Sequence, residues 1–460
     1  MSAQPTKLRP LGNLERYHAT RHKLRLYTTI GLTATYRLPP ANGRSLRHDI
    51  YRACEVVVQQ HPSLSANVVF EDPNKPYFVR LPEIDLDKCV LFQCRQTALS
   101  ESPGDLELDE LLQKHHNTYF DSSAPLWKLC VLENPSSPET FTAVLIYHHA
   151  IGDGTSGKVF HATFAQALEQ VLKAPPHSEV KTILTPSHDP LLPILEDELD
   201  LPLSTWFLVK ELYKSKFSSH KHSLWAGAPV HGTLANRIKH LVVPEPTATK
   251  LRKTCSANDT TITTFLQILV ARLLFKQVDP EFTQINFQGS MSARRWMSNP
   301  AIENLMGDWV LDYSEGYSRI ALEGEAFPWH QAKAAKKSLI DSLASKGKNR
   351  GVGLLRLVSD LEKDVFRPQF DKPRRDSFEI SNLGAFKTEK SRDSSEVVSI
   401  ERMVFSQSTC VDGAAIVLST ISGGDNCLIL TFSWQDSVVE ASFVESLMNG
   451  VEQEITRLSS

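Results

Sequence analysis

Apolar positions recur along this chain in two alternating rhythms, one of helical period and one of short, dense runs. Ser45 to Gln60 sets Leu46, Ile50, Cys54 and Val57 at helical spacing, with Ser45 as the expected cap. His61-Pro62 closes that helix, because the proline ring disfavours helical backbone in the residue before it. Leu106 to His116 is a second predicted helix. Thr155 to Lys173 is a third, carrying Val159, Phe160, Phe164, Ala167, Leu168 and Val171 on one side. Tyr27 to Tyr36, Leu126 to Leu132 and Phe141 to His149 are rich in β-branched, leucine and aromatic residues and read as strands. Phe141 to His149 is apolar on both faces, which predicts a central place in its sheet.

The rhythm breaks at Ala174 to Leu192, a proline-rich stretch of little periodicity, and the helical run Leu203 to Phe217 extends the crossing. The expected division is therefore a first unit over residues 1–190, a linker over 191–230 and a second unit over 231–460. In the second unit, Thr260 to Phe275 reads as a helix capped by Asp259 or Thr260. Val397 to Phe405, Ala414 to Ser422 and Cys427 to Trp434 read as strands, the last two joined by a hairpin at Gly423-Gly424-Asp425-Asn426. Leu145 to Val171 and Leu430 to Ile455 both run from apolar strand through polar turn to amphipathic helix. That echo suggests a duplication with one active half, since the second copy lacks the histidine and the Asp-Gly of the first.

Composition narrows the function. At 460 residues the chain is natural for two domains. Its net charge is −3, from 50 basic and 53 acidic side chains, so no basic surplus exists to neutralise phosphates and nucleic acid is not an expected partner. Seven cysteines, odd in number and scattered, argue against a disulfide framework and structural zinc, and for a reduced, cytoplasmic setting. Met1 to Arg9 has no apolar stretch, so no signal peptide is expected. No run approaches the roughly 20 apolar residues that cross a bilayer. A soluble monomer is the expectation.

The candidate chemistry sits at the end of the strand Phe141 to His149. Alternation puts Ala143, Leu145, Tyr147 and His149 on one face and Val144, Ile146 and His148 on the other, so the two histidines should not share a cleft. This also makes a metal site of His148, His149 and Asp153 awkward. Gly152-Asp153-Gly154 permits a tight turn, from which Asp153 can fold back towards an imidazole or pair with a nearby basic residue. An imidazole with a pKa near 6.5 suits removal of a proton from an alcohol, and a carboxylate can keep its ring oriented. No Gly-x-Ser-x-Gly elbow and no Walker or Rossmann glycine pattern is present. Spacing alone leaves the His-His-x-x-x-Asp pattern open between catalysis and coincidence.

Tyr147-His148-His149-Ala150-Ile151-Gly152-Asp153-Gly154 resembles the His-x-x-x-Asp-Gly signature of the chloramphenicol acetyltransferase-like superfamily, which includes plant BAHD enzymes, condensation domains and fungal alcohol acetyltransferases. Arg9 to Tyr17, Thr20-Arg21-His22, His61-Pro62, Ala124-Pro125-Leu126-Trp127-Lys128-Leu129 and Ile380-Ser381-Asn382-Leu383-Gly384 look like the fungal alcohol acetyltransferase family in the expected order. The resemblance spans nearly the whole chain. It implies an α/β fold of two similar domains, each a mixed sheet covered by helices, with a channel between them for acyl-CoA and acceptor.

By the same resemblance, His149 is the base, Gly154 completes the motif and Asp153 is structural, paired with an arginine of the second domain. Arg294 is the expected partner from its spacing to Gly307, with Arg295 in reserve. His148, Ser381, Asn382, Ser406, Gln407, Ser408 and Trp434 are candidates for the channel wall, and one of the polar groups there would hold the thioester oxygen as charge develops. Trp309 and Trp434 divide between acceptor pocket and core. The plant Asp-Phe-Gly-Trp-Gly motif is absent, and Gly307-Asp308-Trp309 stands where that branch has Gly-Asn. The implied activity is transfer of an acyl group, acetyl first, from a CoA thioester to a small alcohol in a ternary complex, serving secondary metabolism. Acyl-CoA is a co-substrate, and no permanently bound cofactor or metal is expected. The alternatives are amide formation, transfer from a carrier-protein thioester, and a silent ligand-binding relative.

Overall fold

The computed structural model describes residues 5–40, 43–97, 104–121, 124–175, 179–217, 222–386 and 397–460. It is an α/β protein built on two mixed sheets. In the first sheet the strands run in the order Ser399–Gln407, Ile30–Arg37, Thr140–Tyr147, Trp127–Glu133 and Val90–Cys94, all antiparallel except the last pair. The second has the order Asn236–Val243, Leu428–Gln435, Ile416–Ser422, Phe378–Ala385, Gln284–Ser292 and Val310–Ser318, with two parallel pairings in its middle.

Thr140–Tyr147 is buried along its whole length between two hydrogen-bonded neighbours, which is why both of its faces are apolar. The helices Leu46–Gln60 and Gly154–Lys173 pack together beside this sheet. Ser45 caps the first of them, its hydroxyl accepting from the His48 amide at 3.4 Å. In the second half the helix Ile262–Gln277 is buried nearly all round. Its cap is Thr261, neither Asp259 nor Thr260: the Thr261 hydroxyl accepts from the Thr264 amide at 3.2 Å. Asp259 sits just outside the helix, at φ 52, with its carboxylate drawn to Lys333 and Lys336.

The strand Ser399–Gln407 belongs by sequence to the second half, yet its partner is Ile30–Arg37 in the first sheet. The hydrophobic cores interleave in the same way. Leu14 and Leu26 lie in the core of the second sheet, while Ile238, Val242, Val404 and Phe405 lie in that of the first. A division of the chain near residue 230 thus does not divide the sheets: a strand from beyond it completes the first one. Among the described residues, no helix is long and apolar enough to cross a membrane.

Candidate active site

The motif strand ends at Tyr147, and the backbone then turns instead of continuing extended. His149–Ile151 forms a single 3₁₀ turn with His148 at its cap, the His148 Nδ1 accepting from the Ala150 amide at 2.9 Å. Tyr147 Oη donates to the Asp153 carbonyl at 2.7 Å and ties the far side of the turn back to the strand. The helix Gly154–Lys173 then starts with Asp153 as its cap. Gly154 allows close packing here, since a Cβ would lie 2.7 Å from a methyl of Leu383 on the opposite sheet.

Both oxygens of the Asp153 carboxylate are hydrogen-bonded within the protein. Its Oδ1 accepts from the Ser156 amide at 2.9 Å and the Ser156 hydroxyl at 2.9 Å, and Oδ2 accepts from the Trp309 amide at 3.3 Å. Arg294 reaches Oδ1 with Nη2 at 3.0 Å, and both side chains are almost fully buried. The same guanidinium donates to Ser156 Oγ at 2.9 Å and the Leu305 carbonyl at 2.9 Å, and lies 4.8 Å from the centre of the Trp309 ring. Burial alone would raise the Asp153 carboxyl, but Arg294 and the Ser156 hydrogen bonds hold it below the usual carboxylate range. Arg295 is exposed, against the ring of Trp296.

His149 enters a different cluster. Its ring stacks on that of His18, with centroids 3.7 Å apart and planes 6° from parallel. Nδ1 of His149 lies 3.5 Å from Asp308 Oδ1, and Nε2 of His18 lies 3.2 Å from Oδ2 of the same carboxylate. The Asp308 side chain has no exposure, whereas that of His149 retains 11%. Burial pushes the Asp308 carboxyl up to about 6 against the pull of His149, and burial holds His18 well below its ordinary value. One turn along the helix Asn13–Lys23, His22 lies 4.4 Å from His148, centroid to centroid, and burial holds His148 well below its ordinary value as well. The two motif histidines therefore face one helix, against residues four apart on it, and not opposite sides of a sheet. Alternation fails because it applies only to extended backbone, and the backbone turns at His149.

Among the described residues, the His/Cys/Asp/Glu group with donor atoms near enough to share a cation is His18, His149 and Asp308, within 4.8 Å of one another; His148 and Asp153 are outside it. The two imidazoles are nearly parallel, so their in-plane lone pairs cannot meet at one point, which suits hydrogen bonding to a carboxylate better than chelation. Arg21, on the same helix, stacks its guanidinium on Tyr27 at 3.8 Å, and Tyr27 lies 6.1 Å from His149 between ring centres.

The remaining candidates lie elsewhere. Ser406 Oγ is 2.9 Å from His116 Nε2, Ser408 Oγ donates to the Thr409 carbonyl at 2.7 Å, and Asn382 donates to Thr263 Oγ1 at 2.8 Å. Ser381 and Gln407 are buried, and Trp309 and Trp434, at 1% and 2% exposure, are core residues. Among the described residues none of Ser381, Asn382, Ser406, Gln407, Ser408 and Trp434 hydrogen-bonds to His149 or stacks on it. Sequence reasoning missed His18 and Asp308. The available signals were a histidine pair at helical spacing, His18 and His22, and an acid beside Gly307.

Comparison with known proteins places these residues in context. Residues 10–454 match the family model described as alcohol acetyltransferase. The chain is 29% identical to "Probable alcohol acetyltransferase crmB" of Aspergillus fumigatus, over 96% of this chain and 97% of that protein. It is 25% identical to "Probable alcohol acetyltransferase FCK4" of Fusarium pseudograminearum, over 97% and 94%. Among solved structures, the TRI3 trichothecene 15-O-acetyltransferase of Fusarium sporotrichioides superposes with a TM-score of 0.75 at 15% identity, covering 98% of this chain and 95% of that one. The first condensation domain of the calcium-dependent antibiotic synthetase superposes at 0.65 and 12% identity, covering 100% and 97%. These two likenesses show a shared fold.

Proposed function

The chain belongs to the alcohol acetyltransferase family and is an acyltransferase, and from that premise we propose that it moves an acetyl group from acetyl-CoA directly to an alcohol, with His149 as general base. The observation that carries this reading is the division of labour around the motif. Both oxygens of Asp153 are taken up by Arg294, Ser156 and Trp309, while His149 stacks on His18 with its Nδ1 3.5 Å from Asp308 and keeps some exposure. An imidazole so placed has Nε2 available for the acceptor.

In this reaction Nε2 takes the hydroxyl proton as the alcohol oxygen bonds to the thioester carbonyl carbon. The carbon–sulfur bond then breaks, and the thiolate of CoA takes the proton from the imidazolium. Products are the acetate ester and free CoA thiol, and no side chain carries the acyl group. Replacing the base, His149→Ala, is expected to lower kcat by roughly 10²–10⁴-fold, followed as release of free thiol from acetyl-CoA with a panel of alcohols. The same change at His148, whose Nδ1 is occupied by a backbone amide, should cost far less. Equal losses in two folded variants would overturn the assignment. Acetyl-CoA alone should leave the intact mass unchanged; an adduct discharged by the acceptor would replace direct transfer with a covalent route.

A further inference from the structure

The carboxylate of Asp308 is sealed from solvent and, among the described residues, has no arginine or lysine against it; its two neighbours within 4 Å that can carry charge are imidazoles, one on each oxygen. Such a group is costly to bury unless its neighbours use it. From this geometry we infer that Asp308 and His18 are positioning residues for His149: Asp308 fixes the hydrogen of His149 on Nδ1, and His18 holds the carboxylate and the ring in place. The inference rests on the reading of His149 as base.

A carboxylate can only accept, so the imidazole nitrogen that faces it must donate. With the hydrogen on Nδ1, the lone pair lies on Nε2, the nitrogen a base needs. His18 completes the arrangement in two ways. Its Nε2 approaches the other oxygen of Asp308 at 3.2 Å, and its ring lies parallel to that of His149 at 3.7 Å, which blocks rotation of the base. When His149 becomes charged, the Asp308 carboxylate faces the new cation, and His18 must stay neutral because two stacked cations would repel. The 3.5 Å between His149 Nδ1 and Asp308 Oδ1 exceeds a settled hydrogen bond, and catalytic hydrogen bonds commonly tighten into range once substrate is in place. The role that a motif carboxylate would fill in a linear reading thus belongs to a residue 155 positions beyond Asp153 (308 − 153).

The test uses the full-length protein labelled with ¹⁵N-histidine. The His149 signals are identified by their absence in His149→Gln, and long-range ¹H–¹⁵N correlation reports which ring nitrogen carries the hydrogen. The wild type is expected to show Nδ1–H on His149. Asp308→Asn should move hydrogen towards Nε2 and lower kcat about 10²–10⁴-fold, by analogy with loss of an orienting aspartate, while KM for acetyl-CoA changes little. His18→Gln, which keeps a donor near the His18 Nε2 position, should retain more activity than His18→Phe. Hydrogen on Nε2 of wild-type His149 would overturn the inference whether or not the variants fold. So would an Asp308→Asn enzyme of normal kcat and unchanged tautomer, with the base assignment still standing. Activity surviving in His149→Ala would instead remove the reading underneath.

Discussion

Asp153 and Asp308 are both buried, and their surroundings push them in opposite directions. Asp153 has Arg294 and is held below the ordinary carboxylate range, so its charged form stabilises the fold at neutral pH and this contribution fades as pH falls. Asp153→Asn leaves Arg294 buried without its counter-charge. A loss of about 3–5 kcal/mol is expected, with activity and melting temperature falling together. A stable variant with selectively lost chemistry would refute the structural role. Asp308 lies the other way, raised by burial to about 6. The groups around it are His149 from the turn and His18 from the helix, with Asp153 and Glu15 adding negative charge. Its ionisation therefore opposes folding, and stability is lost as pH rises from about 4 through 6. The interval from 3.8 to about 6 corresponds to roughly 3 kcal/mol. Asp308→Asn should match the wild type near pH 4 and melt higher at pH 7, even as it loses activity; parallel melting curves across that range would refute it. Of these residues, Asp153 and its Arg294 contact were legible only through the family resemblance, which implies an arginine of the second half as the partner of the motif aspartate. His18 and Asp308 were not, since only the folded chain brings residues so distant in sequence onto one imidazole.

At the scale of elements, strands and helices were readable wherever one period ran long enough. Leu46–Gln60 and Leu106–His116 follow their apolar spacing, and Thr140–Tyr147 lies in the middle of its sheet. The reading failed at ends, where a single hydrogen bond decides: at Thr261 instead of Asp259, and at Tyr147 instead of His149. The hairpin at Gly423-Gly424-Asp425-Asn426 shows what period and turn chemistry omit. Its glycines serve a crossing as well as a turn. The Gly424 amide donates to the Glu401 carbonyl at 2.7 Å, and a Cβ on Gly424 would lie 2.1 Å from the carbonyl oxygen of Ile400. Because that oxygen is backbone, it cannot rotate away. Gly424→Ala should cost at least about 1–3 kcal/mol, the usual range for forced overpacking. Chemical denaturation measures it, and an unchanged midpoint would show that the crossing has slack.

At the scale of the whole molecule, the strand Ser399–Gln407 binds the halves together through its ladder with Ile30–Arg37. Without it the first sheet would present Ile30–Arg37 as an open edge, a ready template for unwanted pairing. Residues 1–230 produced alone should aggregate or lack a cooperative melt, and co-production with residues 231–460 should restore one transition. A soluble, cooperatively folded 1–230 fragment would disprove the dependence. This threading has a consequence for biosynthesis. Arg37 leaves the ribosome long before Ser399, a wait of roughly 20–70 s at about 5–20 residues per second. The first half cannot finish folding as it emerges; throughout that interval the nascent chain carries an unfilled place in its sheet, which is when a chaperone would matter most to its yield.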